Sequence, residues 1–301
     1  MQWRWGVCLL FLMLGALPGP AASARVLSAP PQADTCTKGP VAEYIDQLDK
    51  LEELRDQWGV FCEPSPTTGG YSEWSLNPVS DLALAPPALE CAITGGAPYS
   101  NIHCYRNLQP DIAATVITYT LSFVLLPGPT CTDFVTACVQ ALEFTASRWH
   151  EKQRYEWAVQ WQNVGGPCPR WRYWDFSHPD GWIPLNPERI ETLRPNQWYD
   201  LTLVGTVEGQ RARYLWFDLH EHGAAPKIYA FSHTTAATRP APTFPNLFAV
   251  AVQLDGNSIQ QSYSVIMDEV ALHHSPPVVF QGGPNAVYMH VSSAHHPPPQ
   301  C

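Results

Sequence analysis

ALEFTASRWHEKQRYEWAVQWQNVGGPCPRWRYWD, Ala141 to Asp175, alternates with period two. Leu142, Phe144 and Ala146 fall in one phase, and Glu143, Thr145 and Ser147 in the other. Past the polar break His150-Glu151-Lys152-Gln153, Tyr155, Trp157, Val159 and Trp161 share one face, while Glu156, Ala158, Gln160 and Gln162 share its opposite. Successive side chains of a strand project to opposite sides of a sheet, so the pattern predicts an antiparallel hairpin with one face in a core. A third strand, Arg170 to Asp175, follows the turn-forming Gly165-Gly166-Pro167. The face left outside the core carries carboxylates, amides, a guanidinium and indoles. That mixture suits a sugar-binding groove, and equally an ordinary wet sheet face.

Outward from the hairpin the signals stay β. Strands are predicted at Tyr71–Leu76, Leu89–Thr94, Thr115–Leu126, Val139–Arg148 and Arg154–Gln162, then at Trp198–Val207, Arg211–Leu219 and Lys227–Phe231. Leu247–Leu254, Tyr263–Leu272 and Val287–Val291 complete the set. Pro127-Gly128-Pro129, Glu208-Gly209-Gln210 and Asp255-Gly256-Asn257 punctuate them as turns. Short strands without βα alternation exclude a parallel α/β sheet and leave a sandwich or barrel. No repeat period suggests a propeller or solenoid. One amphipathic helix is predicted, Val41 to Trp58, where Tyr44, Leu48, Leu51 and Trp58 fall at three- and four-residue spacing before Gly59.

The ends of the chain read differently. Arg4, the apolar run Val7 to Leu17 and the small residues Ala22-Ser23-Ala24 make residues 1–24 a secretory signal peptide, too short for a spanning helix. Residues 25–70 are a linker with the helix, 71–275 the β domain, and 276–301 a Pro- and His-rich tail. The formal charge of −10 speaks against nucleic acid and anionic membrane as partners, because both call for clustered Lys and Arg. It disfavours a polyanionic substrate as well, unless a local basic groove overrides the average. No later run is long and apolar enough for membrane insertion, so export to the extracellular side is expected. Cys36, Cys62, Cys91, Cys104, Cys131, Cys138, Cys168 and Cys301 remain after the leader, an even set that favours disulfides. Local pairs are the cheapest: Cys91 with Cys104, Cys131 with Cys138, Cys36 with Cys62. That leaves Cys168 with Cys301.

Two runs carry a resemblance. Asn196-Gln197-Trp198-Tyr199-Asp200-Leu201-Thr202-Leu203 and Tyr263-Ser264-Val265-Ile266-Met267-Asp268-Glu269-Val270-Ala271-Leu272 resemble recurrent strands of concanavalin A-like lectin/glucanase jelly rolls. The resemblance covers roughly Tyr71 to Leu272 and implies an antiparallel two-sheet sandwich. The segments Arg154–Asp175 and Ala249–Asn257 are also similar to a group of uncharacterised secreted bacterial proteins. Tyr155-Glu156 followed by Trp161, and Gln253-Leu254-Asp255-Gly256, look like strands of jelly-roll endoglucanases, with Asp255 where those enzymes carry Glu.

Several constellations could carry chemistry. Glycosidases need two carboxyls, about 5 Å apart for retention and wider for inversion. Glu156 as nucleophile or base, with Glu143 or Asp255 as partner, would supply them if the hairpin register faces them. The plainer reading pairs Glu143 and Glu156 with Arg148, Arg154 or Arg172 across strands. A polysaccharide lyase would instead use Tyr173 as base beside Arg172 and Gln160. Among Trp149, Trp157, Trp161, Trp171, Tyr173, Trp174 and Trp182, the pair Trp157 and Trp161 is in the core phase, while Trp174 and Trp182 suit stacking on a sugar. Gln160, Gln162 and Arg172 would take its hydroxyls. Asp255, Asn257 and Asp268 offer oxygen ligands for a structural calcium, although Asp-Gly-Asn is also good turn chemistry. His220-Glu221-His222 places two His at i, i+2, a chelating spacing that solvated loop histidines also show. No GxSxG is present, and no other cofactor is implied. The sequence thus predicts an exported, all-β jelly-roll sandwich that binds a carbohydrate. A glycan-cleaving enzyme and a structural or adhesive surface protein are the alternatives this fold also hosts.

Overall fold

The computed structural model describes residues 58–94, 97–108, 115–129, 131, 138–163, 170–179, 181–185, 192–235, 239–243, 246–257 and 262–275. The expected leader, the expected helix but for its last residue Trp58, Cys36, Cys168, Cys301 and the tail with its Val287–Val291 strand lie outside these residues.

Strands β1 (Gly59–Glu63), β2 (Glu73–Val79), β3 (Ala88–Thr94), β4 (Asn101–Leu108) and β5 (Val116–Pro127) precede the central hairpin of β6 (Ala141–His150) and β7 (Gln153–Gln162). β8 (Arg170–Trp174) and β9 (Trp182–Pro184) extend that hairpin. β10 (Trp198–Glu208), β11 (Arg211–Glu221) and β12 (Ile228–Thr234) form a meander, followed by β13 (Arg239–Pro240), β14 (Leu247–Asp255) and β15 (Tyr263–Ser275). One sheet runs β1-β4-β14-β6-β7-β8-β9 with β13 beside β7, and the other β12-β11-β10-β5-β15-β3-β2. Every pairing among these strands is antiparallel. The chain changes sheet from β1 to β2, β3 to β4, β4 to β5, β5 to β6, β9 to β10, β12 to β13 and β14 to β15. This is a jelly-roll sandwich, the class that the resemblance implied and one of the two that the alternation left open.

The hairpin register explains the core. Leu142 faces Trp161, Phe144 faces Val159 and Ala146 faces Trp157, and all are buried. Between the sheets, the Phe144 and Phe123 rings lie 4.6 Å apart and those of Trp171 and Phe217 5.1 Å apart. Such pairs add about 0.5–1.5 kcal/mol each beyond the area they bury. The Trp157 indole donates to the Arg213 carbonyl at 3.1 Å and packs against Gly205, where a Cβ would stand 2.3 Å from the ring. Disulfides join Cys91 to Cys104 and Cys131 to Cys138, two of the expected local pairs. Cys62 is disulfide-bonded as well.

The sheets hold more than the alternation revealed. β1 lies beside β4, so among the described residues strand structure is present from Gly59, ahead of the Tyr71 expected as the domain's first residue. β4 itself was missed although it sits inside its sheet. Its core phase reads Ile102, Cys104, Arg106, Leu108, and a buried arginine at the third place disguises the period. β9 and β13 are too short for a two-residue period to show.

Candidate functional site

Because side chains alternate, every second residue of β4, β14, β6, β7 and β8 reaches the outer face of the first sheet. Cross-strand register sets them in rows. One row runs His103, Gln253, Glu143, Gln160, Arg172. The next runs Asn101, Asp255, Ala141, Gln162, Arg170. Ala141 contributes only a methyl between the two polar groups that flank it.

The hydrogen bonds here have a forced direction. A guanidinium can only donate, and Arg172 Nε donates to Gln160 Oε1 at 2.6 Å, with its terminal nitrogen on the same oxygen. The Gln160 amide nitrogen must therefore point the other way. It lies 3.3 Å from Glu143 Oε2 and 3.5 Å from Asp255 Oδ2. Those two oxygens are thus no more than about 7 Å apart, the sum of the two distances to the shared nitrogen. Each carboxyl has a further donor: the Thr145 hydroxyl reaches Glu143 Oε1 at 2.7 Å, and the Gln253 amide reaches Asp255 Oδ1 at 2.5 Å.

Burial dominates the electrostatics. It pushes the Glu143 carboxyl up to about 7, against the Thr145 hydroxyl and the His103 ring, with Asp255 adding repulsion. Burial likewise carries Asp255 up to about 7, against the Gln253 amide and Arg172, and it lowers Arg172 to about 10. Two adjacent carboxyls that titrate near neutrality can hold one proton to give while the other oxygen pair stays free to accept one.

Indoles wall one side. The Arg172 guanidinium sits 5.0 Å from the Trp182 ring centroid, and Trp182 meets Trp174 edge-on at 5.1 Å. Both indoles are half-buried. The turn between them is held by Asp175, which accepts from the Ser177 amide at 2.9 Å and pairs with His233 Nε2 at 2.6 Å. Gly181 closes it at φ +69°, with a Cβ position 2.1 Å from Trp174, so no larger residue fits there. The Tyr214 hydroxyl anchors the Trp174 carbonyl at 2.8 Å. At the turn's tip Phe176 is 44% exposed.

The structure thus gathers Glu143, Asp255, Gln160, Arg172, Trp174 and Trp182, with Gln162 accepting from Arg170 Nε at 3.0 Å beside them. Other expected groupings do not form. Glu143 faces Gln160, and Glu156 faces Ser147 four residues along the strand, about 13 Å away at the rise of a strand. Glu156 is ion-paired with Arg154 and lines a cavity of about 10 Å³, large enough for one water. Glu143 and Glu156 are therefore not a catalytic pair. Tyr173 is in the core phase, edge-on to Tyr214 at 5.4 Å, with its hydroxyl pushed up by burial. It points away from Arg172, so the lyase trio with Gln160 is not assembled. The oxygen ligands expected for calcium are not gathered either. Asp268 lies in the second sheet, where the Leu84, Ala85 and Glu269 amides occupy its carboxylate. The Asn257 amide is spent on the Cys138 carbonyl. His220, expected in a loop, is buried in β11 between Asp200 at 3.4 Å and Asp218 at 3.2 Å, and His222 pairs with Asp200 at 2.9 Å. Among the described residues no group of three His, Cys, Asp or Glu is placed to hold a metal. A groove of about 190 Å³ on the second sheet has a floor of Ser122, Asp200 and Glu269 and no indole along it.

Three contributors were missed. His103 went with the unrecognised β4. Gln253 stands two residues before Asp255, a spacing that puts both on one face. Thr145 shares the phase of Glu143.

No family model matches the chain, and no curated protein does. Solved structures that resemble it include the marine PL-14 alginate lyase from Aplysia kurodai, at 8% identity and TM-score 0.46 over 67% of this chain and 87% of that one. The Lotus tetragonolobus seed lectin matches at 8% identity and TM-score 0.42, over 73% and 100%. The basic winged bean lectin, solved with Tn-antigen, matches at 9% identity and TM-score 0.38, over 70% and 99%.

Proposed function

We propose that the protein binds a carbohydrate on the outer face of β7, β8 and β9, outside the cytoplasm. One observation carries this reading. A guanidinium clamped between an amide oxygen and an indole stands next to a second indole held rigid by its turn. Sugar rings stack on indole faces through their C–H bonds, while amides and guanidinium take the hydroxyls. The two disulfides between described cysteines favour an oxidising compartment. A second reading, glycan cleavage, is favoured by Glu143 and Asp255, whose carboxyls are both raised to about 7 around one amide. In that reading the protonated carboxyl gives its proton to the glycosidic oxygen and the ionised one activates water or attacks the sugar.

A glycan array and a polysaccharide-digestion screen on the wild type, Trp182→Ala and Glu143→Gln separate the two. Binding that Trp182→Ala abolishes, with no new reducing ends, supports the first. Reducing ends released by the wild type and not by Glu143→Gln establish the second. Silence in both screens sinks the carbohydrate reading for the ligands tried.

A further inference from the structure

The chain is acidic overall, with a formal charge of −10. The outer edge of this face runs against that average. Arg170 and Arg172 are alternate residues of β8 and so project to one side, about 7 Å apart along the strand. Each is held by a neutral partner: Arg170 by the Gln162 amide oxygen, Arg172 by the Gln160 amide oxygen and the Trp182 ring. Among the described residues, neither forms an ion pair with a carboxylate. Three other arginines are neutralised instead. Arg154 is paired with Glu156, Arg194 with Glu221 and Arg213 with Glu208. An amide oxygen fixes the orientation of a guanidinium without neutralising it, and leaves most of its five N–H donors available.

We propose that Arg170 and Arg172 form an anion subsite, which makes the preferred ligand a glycan bearing carboxylate or sulfate groups. The inference rests on the glycan-binding reading above and narrows its ligand class. A planar guanidinium matches a two-oxygen anion with paired hydrogen bonds, which neutral hydroxyls cannot return. Two such forks on one edge favour a polymer with charge on successive residues. The charged groups facing them from neighbouring strands are Glu143 on β6, Asp255 on β14, Glu63 on β1 and His103 on β4. Glu143 and Asp255 are the ones close enough to act on Arg172. Both keep their protons below about pH 7, so the subsite is most cationic on the acid side and is progressively neutralised above it.

The test compares polymers that differ only in charge. Calorimetry or biolayer interferometry would measure binding of polygalacturonate against its methyl ester, and of dextran sulfate against dextran, at pH 6 and pH 8. At least a tenfold preference for a charged polymer is expected, stronger at pH 6 and weakened by salt. Preference in the first pair identifies carboxylate as the source, and preference in the second identifies sulfate. Arg170→Gln should remove most of that preference while leaving the melting temperature and any binding of the neutral polymer in place, whereas Arg172→Gln should remove the preference and weaken binding of the neutral polymer as well. Should Arg172→Gln fold poorly, Arg170→Gln alone decides. Equal binding within both pairs, or a preference that survives in both variants, overturns the anion subsite and leaves the glycan reading standing. No binding to any of the four polymers overturns the subsite too, and the glycan array then judges the broader reading.

Discussion

Replacing Glu143 with glutamine isolates the cost of keeping a carboxyl inside this sheet face. In the native protein the group holds its proton to about pH 7, whereas its ordinary value is 4.5. Its folded value is therefore raised, so its contribution to stability is fully present below pH 4.5 and is lost as pH climbs through 7. At about 1.4 kcal/mol for each tenfold change, ionised Glu143 costs roughly 3 kcal/mol. Glutamine fits the same contacts, since its oxygen can accept from Gln160 and its nitrogen can face the Thr145 hydroxyl, which rotates to accept. Urea unfolding followed by tryptophan fluorescence, with disulfides intact, would be run on both proteins at pH 5 and pH 8.5. The variant should match the wild type at pH 5 and exceed it by about 2–3 kcal/mol at pH 8.5. The wild type should lose stability across that interval, with Asp255 adding to the loss in both proteins. Parallel stability curves for the two proteins would refute the claim that Glu143 is held protonated by its surroundings.

Further expectations follow from particular contacts. Gly205→Ala drives a methyl into the Trp157 ring and should cost about 1–3 kcal/mol in denaturant unfolding. Tyr214→Phe leaves the Trp174 carbonyl and the Ala158 amide without the hydroxyl they share. It should cost about 1–3 kcal/mol and speed hydrogen exchange at Ala158. Removing the Cys91–Cys104 bridge by a double alanine replacement opens a closed loop of 13 residues and should lower stability by about 3 kcal/mol. For Asp175, burial raises the carboxyl, but bonds from Ser177 and His233 outweigh it and hold the group below its usual 3.8. Its stabilisation is present above that value and lost as pH falls through the lower native one. Asp175→Asn should therefore weaken the protein at pH 7, with the deficit closing in acid.

Much of what could be read from the chain alone follows from period two, beside the two disulfides that local cysteine spacing suggested and the jelly roll that a resemblance implied. The hairpin, its buried Trp157 and Trp161, and the outward phase of Gln160, Gln162 and Glu143 all come from alternation. The pairing of sites across strands does not, because it depends on register. The turn at Glu151-Lys152 places Glu143 against Gln160 rather than Glu156, and both turn residues take positive φ to do so. One residue of slip would have paired differently. Asp255 reaches the same cluster only because β14 lies between β4 and β6, an order that no local pattern encodes. β4 escaped notice because Arg106 occupies a core position, so the charge that marks a surface elsewhere marks an interior here.

The bridge between Cys91 and Cys104 joins the two sheets through residues that flank the bend at Tyr99, which is 41% exposed. A protease that cuts the chain at that bend would leave both halves covalently attached. The cleaved protein would migrate as an intact one on a gel run without reductant, and would separate into two fragments only after reduction. Limited proteolysis of this chain therefore has to be read under both conditions, because an unreduced sample would count a nicked sandwich as resistant.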